Sequence, residues 1–113
     1  MKLRLIVGLL FGLSAAMSMT SVSAAVDEDG AKALAKASDC LKCHAVDKDK
    51  KGPSYKKVAA KYKGKADGEA KVTKFVTSGQ KVKLDDGKEE DHKIVDSKDP
   101  KQIGNLVQWI LAQ

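Results

Sequence analysis

Methionine and arginine are confined to the front of this chain. Met1, Met17 and Met19 are the only methionines and Arg4 the only arginine, so from residue 25 onward neither side chain is available. Without arginine the rest of the chain has no side chain for bidentate base or phosphate contacts. With aromatics at 4% there is also no stacking platform, so nucleic acid is a poor partner. Two cysteines are too few for a disulfide framework, and two histidines with two cysteines meet a four-ligand zinc site only if all four are used. No apolar run reaches the roughly 18 residues needed to span a bilayer. A serine-histidine-aspartate hydrolase would have to draw on the same two histidines.

What is present begins with an export signal. Lys2 and Arg4 precede an apolar stretch from Leu5 to Ala16 broken only by Ser14, and Val22-Ser23-Ala24 supplies small residues at cleavage spacing. Residues 1–24 are therefore expected to be a signal peptide and residues 25–113 the mature domain. That domain carries 19 lysines against 15 acidic residues, a net charge of +4. A lysine-rich surface of this kind is soluble and can steer weak docking onto an acidic partner. A domain of about 89 residues buries only roughly 60–65% of its unfolded surface. Its large apolar side chains are few, which suggests that a bound cofactor completes the core.

The periodicity predicts an all-α domain of three to four short helices. Ala31, Leu34, Ala35 and Ala37 make a close-packing stripe on a helix over roughly 29–41. Pro53 or Ser54 opens a second, with Tyr55, Val58, Ala59 and Tyr62 on one face and Lys63-Gly64-Lys65 ending it. Asp67 caps a third carrying Val72, Phe75 and Val76, stopped at Gly79. The stretch 81–98 has no helical stripe; Val82 and Leu84 alternate with polar residues before a turn at Asp86-Gly87. Asp99 and Pro100 open a last helix with Ile103, Leu106, Val107, Ile110 and Leu111 on its stripe.

One motif carries chemistry. Cys40-Leu41-Lys42-Cys43-His44 has the C-x-x-C-H spacing of c-type haem attachment: thiols three residues apart lie on one side of a helix and can both reach one edge of a haem, with the histidine beneath the ring. A zinc site, a thioredoxin-like redox pair and a plain disulfide are the competing readings. The first lacks spare ligands, the second lacks a strand-helix-strand context, and the third closes too short a loop to stabilise much. Asp47-Lys48-Asp49-Lys50-Lys51-Gly52 imitates the start of a calcium loop, but its fifth position is lysine and its twelfth is Val58.

These residues, with Gly52-Pro53-Ser54-Tyr55, Val58-Ala59-Ala60-Lys61-Tyr62 and Leu106-Val107-Gln108-Trp109-Ile110-Leu111, make the chain resemble the short bacterial class I cytochromes c over essentially its whole mature length. The resemblance implies a small cytochrome c fold around one haem c bound through Cys40 and Cys43 and ligated by His44. It also implies a Pro53 carbonyl hydrogen-bonded to the His44 ring, and first and last helices that cross. Most members place a methionine sulfur on the second face of the iron. This domain has none, and His92 occupies about that place before the last helix, so His44 and His92 are the expected iron ligands, with a lysine, a water or an open site as the other choices for the second face. Periplasmic electron transfer follows as the expected function, with periplasmic or membrane-bound redox proteins as partners, a monomeric state and no stable membrane insertion after cleavage. The alternative is a haem sensor with a displaceable sixth ligand; peroxidase-like chemistry at an open iron is a weaker third reading. The acidic group Asp85, Asp86, Glu89, Glu90 and Asp91 is either a solvated loop or a charge that tunes the potential.

Overall fold

The computed structural model describes residues 25–113, so the expected signal peptide, 1–24, lies outside the described residues. Four α-helices account for most of what is described: α1 (Glu28–Ala37), α2 (Tyr55–Tyr62), α3 (Gly68–Ser78) and α4 (Pro100–Leu111). A 3-10 turn at Cys40–Lys42 follows α1. A two-stranded antiparallel hairpin, β1 (Lys81–Lys83) and β2 (Glu89–Asp91), precedes α4.

Local chemistry explains most boundaries. Asp27 caps α1 by accepting the Gly30 N–H, Ser54 caps α2 by accepting from Lys57, and Asp99 caps α4 by accepting from Lys101 with Pro100 in the first turn. Asp67 stands at the expected start of α3, but its carboxylate makes no capping bond; it pairs instead with Lys71 one turn on, at 2.9 Å. Gly79 ends α3 in the left-handed conformation, where a side chain would also crowd Ile94.

The first helix is shorter than its sequence suggests. The expected helix ran to Leu41 and delivered both cysteines; α1 stops at Ala37, and Asp39 takes a left-handed φ of 60°. The cause is tertiary. Ser38 is buried, and its hydroxyl accepts the Asp96 N–H at 2.8 Å from the segment leading into α4, which pulls the chain out of the helix. Cys40 and Cys43 therefore sit on a tighter turn, where residues three apart are eclipsed and still share one side.

The core sits where α1 crosses α4. Ala31 and Ala35 are fully buried, and their small side chains let the helices approach closely; Leu106 and Val107 fill the other side. Asn105 on α4 locks one end reciprocally, its side chain accepting from Asp27 N and donating to Asp27 O, both at 2.8 Å. Removing a fully buried leucine loses transfer energy and leaves a cavity, so Leu106→Ala is expected to lower unfolding stability by about 2–5 kcal/mol. Guanidinium denaturation of the holo-protein followed by far-UV circular dichroism measures it; the half-exposed Leu34→Ala should cost less than half as much.

Candidate functional site

A cavity of about 690 Å³ opens beside the core, within the range of ligand and cofactor sites. Its walls come from every part of the chain after α1. The 3-10 turn and the two residues after it contribute Cys40, Cys43 and His44, α2 contributes Tyr55 and Val58, and α3 contributes Val72, Phe75 and Val76. The hairpin segment adds Val82, Leu84 and His92, and α4 adds Ile110. The alternation read in 81–84 is real and has this purpose: Val82 and Leu84 are half-buried while Lys81 and Lys83 face solvent.

His44 is fixed on three sides. Its Nδ1 lies 2.6 Å from the Pro53 carbonyl, and since a carbonyl only accepts, Nδ1 carries the proton and Nε2 is left with a free lone pair. Gly52 lies so close that an added Cβ would meet His44 Cε1 at 2.6 Å. On another side the Tyr55 ring stacks on the imidazole, centroids 5.2 Å apart and 18° from parallel, and is itself held edge-on by Trp109 at 5.4 Å. Burial, partly offset by the Pro53 hydrogen bond, lowers the His44 pKa below its ordinary value, which keeps the ring neutral and able to bind a metal at neutral pH.

His92 reaches the same cavity through the hairpin. Pairing of Lys81 with Asp91 fixes the register, and His92 N–H then donates to the Gln80 carbonyl at 3.0 Å. The His92 Nδ1 lies 2.8 Å from the Lys93 carbonyl, which assigns its proton by the same logic as in His44. The imidazole stands 6.0 Å from His44, ring centre to ring centre, and 6.0 Å from Phe75. All five residues singled out in the sequence, Cys40, Cys43, His44, Pro53 and His92, thus meet around one cavity.

The donor set suits a covalently held haem. Cys40 and Cys43 are free and half-buried, and burial pushes the Cys40 thiol pKa up, so it stays protonated. The Tyr55 hydroxyl is buried with no hydrogen-bond partner, and burial first, then the neighbouring Cys40 thiol, drive its pKa well above the ordinary tyrosine value. An orphaned polar atom in a cavity bordered by two thiols and two imidazoles fits a site shaped for a bound group. Among the described residues no cluster of three or more histidine, cysteine, aspartate or glutamate side chains is placed to hold a bare metal ion.

Sequence reading missed several supports. Tyr55 was legible as a helix-stripe residue but not as the plane beneath His44. Phe75 was legible as core but not as a neighbour of His92. Asp49, set aside with the calcium-like run, accepts the Ser54 N–H at 2.9 Å and pairs with Lys57. These two contacts, the lysine first, lower its carboxyl pKa below the ordinary value.

The chain matches the family model for cytochrome c over residues 28–113. It is similar to cytochrome c2 of Rhodocyclus tenuis, 37% identical over 81 residues that make up 71% of this chain and 88% of that protein. It is also similar to cytochrome c-551 of Pseudomonas denitrificans, 46% identical over 48 residues, 42% of this chain; there the match spans only 58% of the relative's length. Among solved structures, the class 1 cytochrome MtoD from Sideroxydans lithotrophicus ES-1 superposes with a TM-score of 0.74 at 61% identity, covering 78% of this chain and 97% of that one. A deletion variant of Nitrosomonas europaea cytochrome c552 superposes with a TM-score of 0.58 at 27% identity, covering 72% and 96%. The chain belongs to the cytochrome c family, with Cys40 and Cys43 as its haem c attachment thiols.

Proposed function

We propose that this protein is an exported, monomeric, single-haem electron carrier whose iron is held between His44 and His92. The observation that best supports the ligand pair is the ring separation. Metal–imidazole bonds run about 2 Å and an imidazole centre sits roughly 1 Å behind its nitrogen, so two histidines sharing one metal stand about 6 Å apart, centre to centre. The spacing between His44 and His92 is 6.0 Å. Each ring donates its Nδ1–H to a backbone carbonyl, which leaves Nε2 for the metal and raises ligand basicity.

When bound, the haem supplies a one-electron ferric–ferrous couple. The residues around it decide how that couple is used. With both histidines committed, no position is left for a substrate, which favours electron transfer over sensing or peroxide chemistry. Val72, Val76 and Ile110 present apolar wall, while Tyr55 and Phe75 back the two imidazoles and restrict their motion. Two nitrogen ligands favour the ferric state more than a nitrogen–thioether pair does, which places the potential below that of methionine-ligated relatives.

The apolar, cationic start of the chain supports export to the periplasm and removal of residues 1–24. Among the described residues no helix is long and apolar enough to cross a membrane. The surface lysines support transient docking onto acidic periplasmic or membrane-bound redox proteins.

Two outcomes test this reading. His92→Ala should convert the ferric protein from low-spin to high-spin in its absorption spectrum and open the ferrous form to rapid carbon monoxide binding. His92→Met should instead raise the midpoint potential, on the order of 0.1 V within the roughly 0.8 V that axial ligands command. Unchanged spectra in His92→Ala, or carbon monoxide binding just as fast to the unmutated protein, would move the case to the sensor reading. Separately, stopped-flow electron transfer with an acidic redox partner should slow steeply as ionic strength rises, because the Debye length shrinks to about 8 Å at physiological salt. Rates indifferent to salt would remove the lysine-steering component.

A further inference from the structure

The loop between His44 and Tyr55 holds a carboxylate that neither haem attachment nor surface charge accounts for. Asp49 Oδ1 accepts the Ser54 N–H at 2.9 Å, and its other oxygen pairs with Lys57. That N–H belongs to the same peptide group as the Pro53 carbonyl, whose oxygen takes the His44 Nδ1–H at 2.6 Å. A peptide group is one resonant unit, so a negative charge against its N–H side shifts electron density onto its oxygen and strengthens that oxygen as an acceptor. A stronger acceptor at Nδ1 makes the imidazole a better electron donor through Nε2.

We propose that Asp49 is a positioning residue for His44, acting through the Pro53–Ser54 peptide as a carboxylate–peptide–imidazole relay that aims the ring and increases its donation to the iron. The relay rests on the reading of His44 as an axial ligand. It is one-sided. His92 also donates Nδ1–H to a carbonyl, that of Lys93, but among the described residues no carboxylate accepts the N–H on the far side of that peptide. The loop that carries Asp49 is itself anchored: Lys50 Nζ donates to the Leu41 carbonyl at 2.6 Å and Gly52 N–H to the Cys43 carbonyl at 2.7 Å, tying it back to the C-x-x-C turn. The neighbouring Asp47 lacks these roles. It pairs with Lys56 at 2.6 Å and does not touch the Pro53–Ser54 peptide, which makes it an internal control of equal charge.

Lys57 works against the relay, because an ammonium on the carboxylate draws density away from the peptide. Removing the lysine and removing the carboxylate charge should therefore have opposite effects, which a merely structural role would not produce. The test is redox titration of the purified holo-protein, combined with proton NMR of the His44 Nδ1–H in the ferrous state. The variants are Asp49→Asn, Lys57→Gln and Asp47→Asn, each checked for folding by far-UV circular dichroism. Asp49→Asn can still accept from Ser54 but carries no charge. It should raise the midpoint potential and move the Nδ1–H resonance upfield, whereas Lys57→Gln should lower the potential and move the resonance downfield. Asp47→Asn should leave the resonance in place and shift the potential less than Asp49→Asn does. An unmoved resonance in Asp49→Asn, or equal shifts from Asp47→Asn, would overturn the relay while leaving His44 ligation intact. A His44 ring without the resonance displacement of an iron-bound imidazole in the unmutated protein would overturn the ligation itself.

Discussion

His44 and His92 face each other across one cavity, ring centres 6.0 Å apart with a pair of thiols at its edge, and contacts from the rest of this small domain hold both rings there. His44 arrives on a tight turn and His92 at the end of a hairpin, from segments nearly fifty residues apart in the chain. Neither segment is rigid by itself. The turn gains rigidity from the Pro53 carbonyl, Gly52 and the Tyr55–Trp109 ring pair, and the hairpin from backbone bonds of His92 to Gln80 and of Val95 to Val76. Trp109 therefore has a double role: it belongs to the stripe by which α4 enters the core, and it braces the ring on which His44 stacks.

Much of this was legible from sequence because it rests on local rules. The start of α4 follows from Asp99 and Pro100, that of α2 from Ser54, and the end of α3 from Gly79; each needs only residues a few positions away. The attachment motif was legible for the same reason, since its chemistry lies within five consecutive residues. The end of α1 was not. Local propensity carries the helix onward, and a single long-range hydrogen bond from Asp96 to Ser38 overrides it. The position of His92 relative to His44 was legible only by resemblance, because the register of a three-residue hairpin does the placing. Asp49 was invisible as a functional residue, since its importance lies in which peptide N–H it meets.

The charges around the cavity separate into two kinds. Asp85, Asp86, Glu89, Glu90 and Asp91 are exposed, and three of them already face lysines: Asp86 with Lys88, Glu90 with Lys51 and Asp91 with Lys81. Exposed pairs of this sort contribute little and are screened by salt, although Asp85, Glu90 and Asp91 border the cavity itself. Asp49 is also exposed but acts through hydrogen bonds rather than through space. That difference explains why a lone carboxylate in an unremarkable lysine-rich loop can matter more to the site than five acids clustered beside it.

The central claim is that both histidines bind one iron. Pulsed EPR of the ferric holo-protein carrying nitrogen-15 in its histidines tests it most directly, because only His44 and His92 would carry the label. The account predicts hyperfine couplings from two axial imidazole nitrogens. Coupling to a single labelled imidazole would contradict it.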